Sequence, residues 1–285
     1  MQRAPLGNAM YWDGRVKKFS ERIEADKSNM GFPSKNPRNE AEFWINHSRY
    51  NFRLIMLRYS RGDPVDTLLG TAFEDLLNGW EHSNARALDW QKVTGKADLR
   101  AWRFTLDHLN FYNWCFWVAG LALLFDVPDP QWYRLLALIG SEGQDRLLDS
   151  VLATRQRTRK IGTALLHPKP YARLMRVVEA PPSNHAALLV DFVEHWYAEL
   201  ERKPGEELWW HVYGDPRRHP LEKGSYFGRW CIEAVVVAKM FDIDDRQCLA
   251  ADHYPGALLH PESAHFSTIK EASIFTRIRQ MVLPG

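Results

Sequence analysis

The chain has 285 residues, 45% of them apolar and 25% charged, which suits one large globular domain or two smaller ones and excludes a disordered chain. Three cysteines, Cys115, Cys231 and Cys248, form no CxxC pair, so a disulfide framework or zinc ribbon is not expected. The net charge is +2, with residues 1–180 carrying +6 and residues 181–285 carrying −4; this bears on partners and steering, not on fold.

Helix signals dominate, and alternating Val, Ile and Thr runs are absent. The first amphipathic segment is expected at 11–28. Asn36-Pro37 starts a second helix as cap and first-turn proline, and Gly62 stops it, giving 37–61. Asp63-Pro64 repeats the device for 64–80. A long apolar helix is expected over 98–125. Its most apolar part, Phe111 to Phe125, is 15 residues long and contains Asn113. A membrane span needs about 20 apolar residues, so this segment reads as a buried core helix. Asp129-Pro130 and Gly140 bracket 130–139. Further helices are expected at 144–161, 170–178, 185–202, 225–241, 245–251 and 267–281. The longer connections fall at 29–36, 81–97, 203–224 and 252–266. The fold class is therefore all-α, a multi-helix bundle of two contacting helical subdomains. The boundary is placed at the Asp126–Asp129 turn, giving 1–128 and 129–285. The N-terminus has no apolar h-region of a signal peptide, so a cytoplasmic location is expected.

The stretch "YFGRWCIEAVVVAKMFDIDD", Tyr226 to Asp245, is mostly apolar yet carries Glu233 in its middle. A helix apolar on most sides is central, so Glu233 is expected to be at least half-buried and to need a partner. Arg229 one turn earlier is a local candidate, and a group from another helix is the alternative. The favoured role is a structural ion pair that fixes how this helix docks. A catalytic acid would need a second titratable group beside it.

The region "GSYFGRWCIEAVVVAKMFDIDDRQCLAADHYPGALL" resembles the C-terminal signature of the PoNi family, immunity proteins against DNase toxins of bacterial type VI secretion. Tyr226, Gly228, Trp230, Glu233 and Ala234 match a Tyr-x-Gly-x-Trp-x-x-Glu-Ala helix. Ile243, Asp244 and Asp245 match the following turn, and Tyr254-Pro255 a Tyr-Tyr-Pro-type turn. In the other half, "LRYSRGDPVDTL" and "LDHLNFYNWCFWVAGLALLFDVPD" are similar to the family's Tyr-Ser-x-Gly-Asp element and apolar middle helix. Gly256-Ala257 stand where the family tends to keep an aromatic and an Asp. The resemblance implies a non-enzymatic stoichiometric inhibitor with a cognate nuclease toxin as protein partner. No cofactor, direct nucleic-acid contact or membrane contact is expected. The matched residues also have plain structural roles. Gly228 allows close approach, Trp230 fills core, Asp244 caps the helix expected from Asp245, and Tyr254-Pro255 makes a rigid turn. They read as scaffold.

No phosphate loop, dinucleotide fingerprint or nucleophile elbow occurs. The basic run Arg155 to Lys160 ends a helix, where cations are favoured, and lacks an aromatic to stack a base. His253, His260 and His265 with Asp252 and Glu262 lack the spacing of a helical metal site and read as a polar loop. The connection 203–224 is the candidate partner surface, with Glu206, Glu207, Trp209, Trp210, Tyr213, Asp215, Arg217 and Arg218. Aromatics and arginines dominate interface hot spots. At least one of Trp209 and Trp210 is expected to pin the loop to the core. The acidic half would meet the basic face of a nuclease, while the net +2 argues against a full DNA mimic. A helical nucleic-acid-binding protein using the +6 half and a metal-dependent hydrolase on the late histidines are the rival readings.

Overall fold

The computed structural model describes residues 2–29, 34, 36–95, 105–203 and 205–262. Nine α-helices and five short 3-10 turns make up the regular structure of these residues, with no strand among them. The helices are α1 (Ala9–Asn29), α2 (Pro37–Arg61), α3 (Ala72–Thr94), α4 (Leu109–Leu124), α5 (Asp129–Ile139), α6 (Arg146–Ala153), α7 (Pro168–Glu179), α8 (Pro182–Glu199) and α9 (Ile232–Met240). The multi-helix bundle expected from the helix signals is what the chain forms. The expected helix 267–281, residues 98–104 of the fourth helix, and His265 lie outside the described residues.

Local chemistry sets several boundaries. The Asn36 side chain accepts from the Arg38 N–H at 3.0 Å, and Pro37 opens the first turn. Gly62 ends α2 with φ +106°, a left-handed conformation that glycine adopts without a Cβ penalty. Four expectations need correction. The segment expected as helix 64–80 is a 3-10 turn at Val65–Thr67 followed by α3, because Gly70 adopts φ +44° between them. The helix then runs on past the expected end at residue 80 to Thr94, so most of the connection expected at 81–97 is helical. A Cβ on Gly79 would lie 2.5 Å from Ser48 Oγ and 3.0 Å from the Trp44 carbonyl, so this glycine lets α2 and α3 touch.

The helix expected at 144–161 ends at Ala153. The turns beyond it bring Arg159 Nε to 2.7 Å from Asp149 Oδ1. A straight helix would hold those residues about 15 Å apart along its axis. The helix expected at 225–241 begins only at Ile232. Gly228 has φ +99°, and the Trp230 indole folds back against its Cα, so the preceding residues cannot continue a helix. Lastly, 245–251 holds only a 3-10 turn at Cys248–Ala250.

One hydrophobic core runs through both halves of the chain. Its axis is α4, in which every residue from Phe111 to Leu124 is buried. Helix α9, buried from Ile232 to Ala238, lies against it. Contact is close at Gly120, where a Cβ would lie 2.7 Å from Val236 Cγ2. The ammonium of Lys239 donates to the Leu124 carbonyl at 2.6 Å, satisfying a free acceptor at the end of α4. Helices α1, α2 and α3 pack in sequence, and α7 and α8 pair with each other. Trp12, Trp80, Trp114, Trp132, Trp196 and Trp210 are fully buried, which accounts for six of the twelve tryptophans. No helix among the described residues is long and apolar enough to cross a membrane.

Candidate functional site

Glu233 is buried beside α4 and α7. The Tyr171 hydroxyl donates to its Oε1 at 2.9 Å, and Asn113 Nδ2 donates to the same oxygen at 3.0 Å. Asn113 is itself fixed by the Trp210 indole N–H, which donates to Asn113 Oδ1 at 2.8 Å. The indole N–H groups of Trp117 and Trp196 lie near the carboxyl without completing a normal hydrogen bond, and Oε2 is left without one. Burial pushes the Glu233 carboxyl above the usual carboxylate range, and the surrounding donors offset this in part. The expected ion pair is therefore corrected. Among the described residues no cation lies within bridging distance, and Arg229 instead sits 4.5 Å over the Tyr197 ring. An ionised carboxylate so deep would be costly, whereas a hydrogen-bonded neutral acid is tolerated. Glu233 is 1% exposed, so no substrate reaches it as it stands.

The other matched residues clasp the two halves together. The Tyr11 hydroxyl donates to the Tyr226 carbonyl at 2.7 Å. Trp230 Nε1 donates to Ser60 Oγ at 2.8 Å, and Ser60 Oγ donates to the Phe227 carbonyl at 3.0 Å. The Trp230 ring meets Tyr59 edge-on at 5.0 Å. Gly228 is required at this crossing, because its Cβ would strike both Trp230 and Ser60 Oγ. Asp244 does not cap a full helix. Its Oδ1 accepts from the Arg246 N–H at 3.1 Å in a side-chain turn, and Arg246 holds its carboxyl down to about 2. Asp245 is buried, accepting from the Tyr254 hydroxyl at 2.6 Å and lying 2.8 Å from His260 Nε2. Pro255 is buried beside Tyr254.

The histidines of the late cluster go separate ways. His253 Nε2 bonds the Val193 carbonyl at 2.6 Å, and His260 bonds Asp245. No metal-holding cluster occurs among the described residues. The basic run is likewise tied down in part. Arg155 Nη2 lies 2.7 Å from Asp129 Oδ1, and Arg159 pairs with Asp149 in the interior. Arg157 and Lys160 remain exposed.

Connection 203–224 is a surface feature with one internal anchor. Trp210 is corrected from partner surface to core: it is 2% exposed, bonds Asn113 and stacks on Trp196 at 5.7 Å. Trp209 is half-buried. Its backbone N–H donates to Asn110 Oδ1 at 3.0 Å, and its ring stacks with Phe227 at 6.0 Å. Tyr213 is half-buried next to His219, their rings 4.9 Å apart. Glu206, Arg217 and Arg218 are exposed. Two of the acids are occupied locally. Glu207 Oε2 accepts from the Gly205 N–H at 2.6 Å, and Asp215 pairs with Arg217 at 3.1 Å. Arg218 lies 3.6 Å from Glu201. Sequence reasoning missed what lies behind the loop. Arg53 of α2 reaches to 4.7 Å from the Trp209 ring and 5.5 Å from the Tyr213 ring, and Arg49 lies 5.4 Å from Trp209. Their spacing of four residues puts both on one helix face, but nothing local ties that face to residues 160 positions on.

Comparison with protein families decides what this architecture is. Residues 3–137 match the model for PoNe immunity protein (PoNi), N-terminal, and residues 143–258 match that for PoNe immunity proteins (PoNi), C-terminal. The chain belongs to the PoNi family. Both family domains are present in order, and Tyr226, Trp230 and Glu233 lie where the C-terminal domain grips the N-terminal one. A search of curated proteins gives no match. Among solved structures, the chain is similar to Protein PA2201 from Pseudomonas aeruginosa. The TM-score is 0.67 at 17% identity, over 94% of this chain and 93% of that one, a likeness of fold. PoNi membership makes this an immunity protein with a cognate toxin as partner.

Proposed function

We propose that this protein binds a nuclease toxin stoichiometrically in the cytoplasm and neutralises it by occupying a protein surface, not by a reaction of its own. The observation that carries this reading is the pair of PoNi family matches spanning both halves of the chain. The acids and histidines singled out in the sequence support it from the other direction. Glu233, Asp245, His253 and His260 are all engaged in packing contacts, so their chemistry is spent on the scaffold. The docking surface is the connection 203–224, where Trp209 and Tyr213 stand half-buried beside exposed Glu206, Arg217 and Arg218. Half-exposed aromatics backed by arginine are what a protein hot spot is made of.

The test is a titration of the nuclease recovered in a pull-down with this protein from its own cells, followed by DNA cleavage. Activity should fall linearly and vanish near one equivalent of the full chain. Undiminished cleavage under excess protein would reject the reading.

A further inference from the structure

Two contrasting settings of arginine occur among the described residues. Arg58, Arg134, Arg155 and Arg173 each rest on a carboxylate at 3.0 Å or less. Arg15 of α1 and Arg53 of α2 are half-buried, and no carboxylate lies within bridging distance of either among the described residues. Their neighbours are aromatic faces. Arg53 is bounded by Trp209, Tyr213 and Phe227, the last at 5.5 Å. Arg15 lies 5.1 Å over Phe19, roofed by Gly224, whose Cβ would come within 2.7 Å of Arg15 Nη1. Arg49, one turn before Arg53 and bonded to Asn46, adds a third cation to the same wall. The Nε atoms of Arg15 and Arg53 are buried without a hydrogen-bond partner.

Cations gathered behind aromatic walls repel one another and lose hydration, and cation–π contact recovers only part of that loss. Burial lowers the basicity of all three, Arg49 to about 9. An anion brought in from outside would relieve this, and the planar guanidinium fork is matched to a carboxylate. We propose that this cation–aromatic wall receives an aspartate or glutamate side chain of the partner toxin. The inference rests on the immunity reading and names the contact within it. A carboxylate fits better than a nucleic-acid backbone. Exposed Glu42 is close enough to act on Arg49, and exposed Glu206 lies in the loop that carries Trp209. These acids would repel a duplex carrying a charge every ~1.7 Å, whereas one side chain can enter between them.

The experiment is calorimetric titration of the same purified nuclease into the full chain, comparing wild type with Arg53→Met, Arg15→Gln and their double variant. Arg157→Ala, an exposed arginine outside that loop, is the control. The double variant should bind at least about tenfold more weakly and show a flatter dependence on salt, with an unchanged melting temperature. If Arg53→Met lowers the melting temperature, Arg15→Gln alone carries the comparison. Arg53→Lys should recover only part of the affinity, because it keeps the charge and loses the fork. Wild-type affinity in Arg15→Gln and the double variant overturns this inference and leaves the immunity reading standing. Failure of the wild-type chain to bind the nuclease overturns both. Binding of duplex DNA that the same variants abolish overturns the carboxylate in favour of phosphate.

Discussion

The Tyr171 hydroxyl donates to Glu233 Oε1 across 2.9 Å, linking α7 to α9 inside the core. Because Asn113 of α4 donates to the same oxygen, one carboxyl holds three helices in register. Among the described residues the acid in the apolar helix is thus not half of an ion pair. It is a buried acceptor for neutral donors.

That arrangement has a pH signature. The folded state raises the Glu233 pKa, so it holds the proton more tightly than the unfolded chain does. The stability this group contributes is complete below its unfolded value of about 4.3, and it is lost as pH rises toward the folded value. Glu233→Gln removes this loss. The advantage of the variant over wild type in urea midpoint should therefore grow from pH 4.5 to pH 8. Parallel pH profiles for the two proteins would sink the assignment. Glu233→Ala should cost about 3–5 kcal/mol by leaving a cavity and the buried Tyr171 hydroxyl without its acceptor.

The clasp between the halves is testable by a double-mutant cycle on Ser60 and Trp230. Ser60→Ala leaves the buried indole N–H without its acceptor, at about 1–3 kcal/mol. Trp230→Phe should cost a similar amount, and the double variant less than the sum. A coupling of about 0.5–3 kcal/mol in chemical denaturation would match a direct contact, and strict additivity would refute it.

Gly120 permits the approach of α4 to α9, so Gly120→Ala should destabilise by about 1–3 kcal/mol. Val236→Ala removes the methyl group that the new Cβ would strike. Thermal melts of the pair should show Val236→Ala costing less in the Gly120→Ala background than alone. Equal costs in both backgrounds would mean that the helices do not meet at this point.

The basic run separates into structural and free charges. Arg159→Met breaks a buried pair with Asp149 and should cost about 3–5 kcal/mol. Arg157→Ala, at an exposed position, should change stability by less than about 0.5 kcal/mol. Equal urea midpoints for the two variants would contradict this division.

The adjacent tryptophans of the loop should behave oppositely. Trp210→Ala empties part of the core and should cost about 3–5 kcal/mol of folding stability. Trp209→Ala should leave most of the stability and weaken nuclease binding by about 2 kcal/mol, measured by calorimetry at fixed salt. Full binding by Trp209→Ala would remove this loop from the interface.

What the sequence determined by itself was the helical content and its punctuation. Asn36-Pro37, Gly62 and the apolar run 111–125 act through neighbours a few residues away, and their effects were legible at that range. The family signature was legible for the same reason, being a contiguous pattern around Tyr226 to Pro255. The long-range choices belonged to the tertiary structure. Glu233 meets groups 62 and 120 positions distant, and periodicity assigns a face without naming its occupant. Trp209 and Trp210 are identical in local signal, and only the position of Asn113 decides which one enters the core. Arg53 lies against Trp209 because α2 packs where the late loop returns, a proximity set by chain topology and unreadable from local spacing. Backbone conformation follows from short-range sterics, whereas the partner of a buried polar or charged group follows from how the helices are stacked.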